Sequence, residues 1–283
     1  MKLTPISAGH LHCDGGALFS VIPKVLWSKV YPADSNNFTQ LTMRCLLVEQ
    51  GNQKILIEAG VGNHYPEKYL QNNGIIPGNY LEESLKKNGV APAEITDVIF
   101  THLHWDHCTG AVKSVDGKLQ LTFPNAKLWS SKKQWEHCKI SNAREKAAYH
   151  RRVLDFMFYS GRLNLVKNEG ELFPNIDVRF FDGHTPGQMI PYINYENKTY
   201  VYTSDLIPTA ANIPLLWLAA YDLFPVTALK EKEQFLNEVA EKNYILFFEH
   251  DFYTECATLK QSAKGIVLNS KFSFPESINL GNG

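Results

Sequence analysis

The chain has 283 residues, 44% of them hydrophobic, enough to bury a substantial core either as one large α/β domain or as two fused halves. Lys and Arg number 28 against 29 Asp and Glu, so the near-neutral charge lacks the basic footprint that holds a nucleic-acid backbone. The 5 cysteines, odd in number and without paired metal spacing, read as reduced thiols of a cytoplasmic protein, and no apolar stretch approaches the roughly 18 residues of a membrane span.

Met1-Lys2-Leu3-Thr4-Pro5 lacks the apolar run of a signal peptide. His10 and His12 form an H-x-H pair able to bind metal, but no acid accompanies them, and a strand face or loop is the favoured reading. Lys54-Ile55-Leu56-Ile57 reads as a strand that runs into Glu58-Ala59-Gly60. Asn79 to Gly89 predicts a helix, with an Asn cap, acids early, lysines late and a closing glycine.

The next element carries the strongest signal. Asp97-Val98-Ile99-Phe100-Thr101 is a β-branched and aromatic run, the pattern of a buried strand, and it leads into His102-Leu103-His104-Trp105-Asp106-His107. Three imidazoles and a carboxylate this close are costly to bury unless something satisfies them, and a metal ion does so directly. On a helix, positions 102 and 104 would project about 200° apart, whereas in extended chain they point the same way, so the motif reads as a strand-end loop. It differs from the helical H-E-x-x-H site, whose histidines lie four apart. Trp105 reads as an entrance wall or as a hydrophobic wedge under the loop. Cys108 reads as a small buried residue at a helix start in preference to a soft ligand.

Three later strand-like runs end in the same manner. Asp177 to Phe181 runs into Asp182-Gly183-His184-Thr185-Pro186-Gly187, where glycines and a proline turn the chain about His184. Thr199 to Thr203 ends in Ser204-Asp205, and Tyr244 to Phe248 ends in Glu249-His250-Asp251. Helices are expected over Asn142 to Tyr159, Thr227 to Lys242 and Glu255 to Leu268, and the tail 270–283 is expected to be loosely held. His64, His137 and His150 have no ligand-like setting. Otherwise 1–283 reads as a single hydrolase domain without repeats or linkers.

H-x-H-x-D-H followed by a separate His, Asp and His resembles the metallo-β-lactamase superfamily. That resemblance implies an α/β fold, a four-layer αβ/βα sandwich with the metal site at one edge between two sheets. It implies that His102, His104 and His184 hold a first metal, that Asp106, His107 and His250 hold a second, and that Asp205 bridges them. Within the superfamily the chain looks most like the branch of acyl-homoserine lactonases and methyl-parathion-hydrolase-like enzymes, on Asp14 to Phe19, Pro23-Lys24, Trp27, Asp205 to Thr209, Trp217 and Tyr221-Asp222. By resemblance Phe19, Trp27, Trp217 and Tyr221 are candidate pocket walls, and the branch admits a homodimer. Two positions depart from the pattern. Glu58-Ala59-Gly60 stands where an Asp-Thr-Gly or Asp-Ser-Gly turn is usual, and Pro208 stands where homoserine lactonases carry a carbonyl-polarising tyrosine.

The implied activity is that of a dinuclear metal-dependent hydrolase, in which a metal-bridging hydroxide opens a lactone or cleaves a carboxylic ester, as in a quorum-quenching lactonase. The partner is then a small-molecule ester or lactone, with neither nucleic acid nor membrane. Asp205 and Asp106 are the catalytic candidates, with Asp106 as proton shuttle. Zinc is the first choice of metal, with manganese, iron or cobalt as alternatives for imidazole and carboxylate ligands. The alternatives are an organophosphate triesterase, since the same nucleophile attacks phosphorus, and a non-catalytic metal-binding or sensing protein on the same scaffold. A glyoxalase-type thioesterase fits less well because the tail is not basic. Flavodiiron chemistry fits less well because His104 is not replaced by glutamate and no flavin domain follows.

Overall fold

The computed structural model describes residues 1–280, so positions 281–283 of the tail expected to be loose lie outside the described residues. The strands in chain order are β1 (Lys2–Asp14), β2 (Phe38–Gln50), β3 (Gln53–Ile57), β4 (Asp97–Ile99), β5 (Val112–Val115), β6 (Lys118–Leu121), β7 (Lys127–Ser131), β8 (Leu163–Val166), β9 (Gly170–Phe173), β10 (Ile176–Phe181), β11 (Gln188–Tyr195), β12 (Lys198–Tyr202), β13 (Ile245–Phe247), β14 (Cys256–Ser262) and β15 (Gly265–Phe272). The chain divides into two compact units. One holds Met1–Leu11, Thr42–Asn168 and Pro186–Met189; the other holds His12–Leu41, Glu169–Thr185 and Ile190–Gly283.

The first unit is built on a mixed sheet in the order β1-β2-β3-β4-β7-β8. β2 and β3 form an antiparallel hairpin, and β3, β4, β7 and β8 are parallel. Ile55, Leu56, Ile57, Val98 and Ile99 are fully buried, as expected of parallel strands covered on both faces, which is why these segments read as unbroken apolar runs. Ile57 faces Ile99 across the β3–β4 ladder, so Glu58 and the histidine motif both leave the sheet at the C-terminal ends of neighbouring strands. The expected helix near Asn79 spans Tyr80–Lys87 and buries Leu81 and Leu85.

The second unit carries a sheet in the order β15-β14-β13-β12-β11-β10-β9. β12 and β13 are parallel, with Tyr202 opposite Phe247. The crossover between them includes the helix Pro225–Glu241, which starts with Pro at a first-turn position that needs no N–H. Phe235, Leu236 and Val239 on that helix join Val201, Leu246, Ala257 and Leu259 in the core.

Two expectations from the sequence need correction. Glu255 to Leu268 is not a helix but the β14–β15 hairpin, with Ser262 paired to Gly265 across a two-residue turn, Ala263-Lys264. Gly265 takes φ +91°, which other residues rarely adopt, and Ala257 pairs with Leu246 at the sheet. Good helix formers are overridden there by ladder pairing. In Asn142 to Tyr159 only Arg151–Tyr159 is α-helical. The Asn142 side chain accepts the N–H groups of Arg144 and Glu145, and this turn diverts the chain before the helix. Among the described residues no helix is long and apolar enough to cross a membrane.

Candidate metal centre

In the first unit, buried β4 delivers the chain through Phe100 and Thr101 to His102. His104 is extended, with φ −65° and ψ 156°, and it caps a single helical turn, Trp105–Cys108. Extended backbone turns the 102 and 104 rings toward one another, and His102 Nε2 lies 2.9 Å from His104 Nδ1. The helical turn then returns His107 to the same place, its ring centroid 4.0 Å from that of His102. Asp106 Oδ1 stands 3.8 Å from His107 Nε2. His102, His104 and His107 are all buried.

The surrounding chain is packed to hold this loop. Ala59 N–H donates to the His107 carbonyl at 2.8 Å, and Gly110 N–H donates to the Gly60 carbonyl at 2.8 Å. A Cβ on Gly110 would sit 2.0 Å from the Ala59 oxygen, so only glycine allows this approach. Glu58, with φ +66° and no exposure, accepts the Thr101 N–H at Oε1, 2.7 Å away, and the same oxygen lies 3.6 Å from His107 Nδ1. Glu58, His102 and His107 each offer a donor atom within 4.8 Å of the others. The longer carboxylate at position 58 thus spans from the β3 end to the β4 end.

A second layer of polar groups backs His104. Its Nε2 lies 3.3 Å from Glu145 Oε1, and Glu145 Oε2 lies 2.5 Å from His137 Nε2. Tyr149 OH donates to Glu145 Oε1 at 2.6 Å and accepts from Gln134 Nε2 at 2.8 Å. Sequence reading passed over Glu145, gave Tyr149 no part in the site and set His137 aside, because no spacing rule links them to the motif.

In the second unit, His184, Asp205 and His250 are brought together. Asp205 and His250 each stand three residues past Tyr202 and Phe247, which are paired across parallel β12 and β13, so the ladder itself places them side by side. The two Asp205 oxygens face different rings, with Oδ2 3.5 Å from His184 Nε2 and Oδ1 3.6 Å from His250 Nε2. His184 Nδ1 lies 3.1 Å from Asp222 Oδ1. The turn under His184 is held by Glu231, whose two oxygens accept the N–H groups of Asp182 and Gly183 at 2.8 Å each. A Cβ on Gly183 would fall 2.3 Å from Ala228 Cα, so the turn seats directly on the helix. Asp222 entered the sequence reading only within a flanking segment, with no role at His184, and Glu231 did not enter it.

The donor sets fit divalent ions. Facing imidazole nitrogens 2.9 Å apart are within the span that two bonds of about 2.0–2.1 Å to one ion bridge. The Asp205 separations are long for hydrogen bonds but suit ligands of shared ions.

Other candidates fall outside these groups. His10 and His12 lie on β1, and His10 meets Tyr80 edge-on. Cys108 is wholly buried, at the end of its helical turn and at the N-cap of the short helix Thr109–Ala111, and burial pushes its thiol well above the ordinary range. His64 packs against His150, ring centroids 4.9 Å apart, and burial pushes it down to about 4, with the neighbouring His150 adding to the shift. Phe19 and Trp27 are fully buried and stacked at 5.0 Å, which makes them core. Tyr221 lies edge-on to His184 with centroids 5.7 Å apart.

Comparison with known proteins places these features in context. A model of the metallo-beta-lactamase superfamily matches residues 44–250. The N-acyl homoserine lactonase AiiA of Bacillus thuringiensis subsp. kurstaki is 25% identical over 240 residues, covering 76% of this chain and 83% of the lactonase. A probable metal-dependent hydrolase from Staphylococcus aureus superposes with a TM-score of 0.86 at 28% identity, over 96% of this chain and 98% of that one. AidC, a dizinc quorum-quenching lactonase, matches in fold with a TM-score of 0.79 at 22% identity, over 96% of this chain and 94% of its own.

Proposed function

Because the chain belongs to the metallo-beta-lactamase superfamily, has its α/β fold and is a metal-dependent hydrolase, we propose that it opens a lactone or a related carboxylic ester at a dinuclear centre. His102, His104 and His184 would hold one divalent ion, Asp106, His107 and His250 would hold the other, and Asp205 would belong to both sets. The observation that carries this reading is Asp205, whose two oxygens are each turned to a different buried imidazole. When bound, the ions supply Lewis acidity toward the carbonyl and lower the pKa of water from about 15.7 to roughly 7.

The remaining work falls to side chains. Asp222 fixes the ring orientation of His184, and the buried Glu58 carboxylate stands 3.6 Å from His107 Nδ1. Asp106, whose side chain keeps 18% exposure beside buried His107, would accept the proton that the attacking water gives up and pass it to the leaving alkoxide. In a lactone that alkoxide remains tethered, so one water is consumed and a hydroxy acid results.

The named lactonases among the relatives support a lactone substrate, and the dizinc AidC supports zinc. Pro208 in place of a tyrosine broadens the proposal to esters beyond acyl-homoserine lactones. The 5 cysteines, odd in number and without paired spacing, support a reducing, cytoplasmic setting. The test is elemental analysis of purified protein joined to an assay panel of an acyl-homoserine lactone, an aryl ester and a phosphotriester. Two ions per chain with lactone or ester turnover are expected. Turnover confined to the phosphotriester would replace the substrate assignment, and a metal-loaded protein inert toward the whole panel would overturn hydrolysis of these classes.

A further inference from the structure

The network behind His104 has the features of a positioning device. Glu145 is only 6% exposed, yet its carboxylate is engaged from three sides, by the His104 ring, the His137 ring and the Tyr149 hydroxyl. These groups come from separate segments. His137 lies on the helix Lys132–Lys139, Glu145 follows the Asn142 turn, and Tyr149 precedes the helix Arg151–Tyr159. Tyr149 also packs its ring 5.0 Å from that of His104. The anchoring continues outward. Gln134 Nε2 donates to Tyr149 OH, Gln134 N–H donates to Ser131 Oγ at 3.0 Å, and Ser131 Oγ donates to the Gly187 carbonyl at 2.6 Å.

We propose that Glu145 is a positioning residue for the metal centre, holding His104 through Nε2 so that Nδ1 is the nitrogen presented beside His102. An imidazole that donates from Nε2 keeps its Nδ1 lone pair for a cation, and a buried carboxylate is the acceptor that best enforces that tautomer and ring angle. His137 and Tyr149 keep the carboxylate from turning away. The inference rests on the reading of His104 as a ligand, and it adds a group that touches neither ion nor substrate.

The test compares wild type with Glu145→Gln, Glu145→Asp and Tyr149→Phe, each loaded with zinc or cobalt. Zinc affinity is measured by chelator competition, the cobalt absorption spectrum is recorded, and melting is followed in excess chelator. Expected results are metal affinity lower by about 10–100-fold in Glu145→Gln, a changed cobalt spectrum, and kcat lowered more than KM is raised. Tyr149→Phe shifts each readout the same way by less, and Glu145→Asp restores part of the loss. Wild-type affinity and spectrum in a folded Glu145→Gln would overturn the inference while leaving the hydrolase reading intact. If Glu145→Gln does not fold, wild-type values in Tyr149→Phe would overturn it. A wild-type protein that binds no ion would overturn both.

Discussion

The Nδ1 atom of His184 lies 3.1 Å from Asp222 Oδ1, while Nε2 of the same ring faces Asp205. A proton on Nδ1 donated to Asp222 would leave Nε2 as the electron-pair donor. Asp222→Asn keeps the shape but removes the charge that sets this tautomer, so metal affinity is expected to fall by about 10–100-fold. Chelator competition on the purified variant checks this, and an unchanged affinity would remove Asp222 from the account.

Asp205→Ala deletes both oxygens that face His184 and His250. Bound metal is expected to drop below two ions per chain, and lactone or ester turnover to fall by about 10³-fold, the upper range for loss of one preorganised catalytic group. Full activity in a variant that elemental analysis finds empty would sink the dinuclear mechanism.

Glu58→Asp introduces the residue that the superfamily usually carries here, yet it is expected to destabilise this protein. The aspartate arm is one methylene shorter, which withdraws the acceptor now 2.7 Å from the Thr101 N–H and leaves a buried donor unpaired. The cost is about 1–3 kcal/mol. Urea unfolding in the presence of chelator, so that metal binding does not contribute, measures it directly, and equal midpoints would refute the role given to Glu58.

Lys232 supplies a pH dependence of known sign. Its amine donates to the Pro214 and Trp217 carbonyls at 2.9 Å each, and burial pushes it down to about 7 from 10.5, against the opposing pull of Asp222. Between those values the unfolded chain keeps a proton that the folded chain has released, so the contribution of Lys232 to stability rises with pH across that window. Below it the full burial penalty applies. Lys232→Met is expected to flatten the stability profile there by a few kcal/mol, at about 1.36 kcal/mol per unit. Parallel denaturant titrations at pH 6.5 and pH 9.5 read the difference; parallel profiles for the two proteins would contradict it.

What could be read before the structure was whatever depends on a strand and its end. Val98-Ile99, Tyr202 and Phe247 announce themselves by buried apolar character, and His102, Asp205 and His250 follow them directly. Glu145, Asp222 and Glu231 could not be read in this way, because each meets its partner across 38 to 49 positions or through a turn that no local pattern marks. The Glu255 to Leu268 error has a different cause. Ala257, Leu259, Lys260 and Gln261 are good helix formers, and only pairing with β13 and the permissive backbone at Gly265 decide against them.

Asp205 and His250 each stand three residues past positions paired across adjacent parallel strands, so main-chain ladder bonds place both residues before any ion arrives. Little ordering would remain to be done on loading, which lowers the conformational cost of binding a divalent ion there.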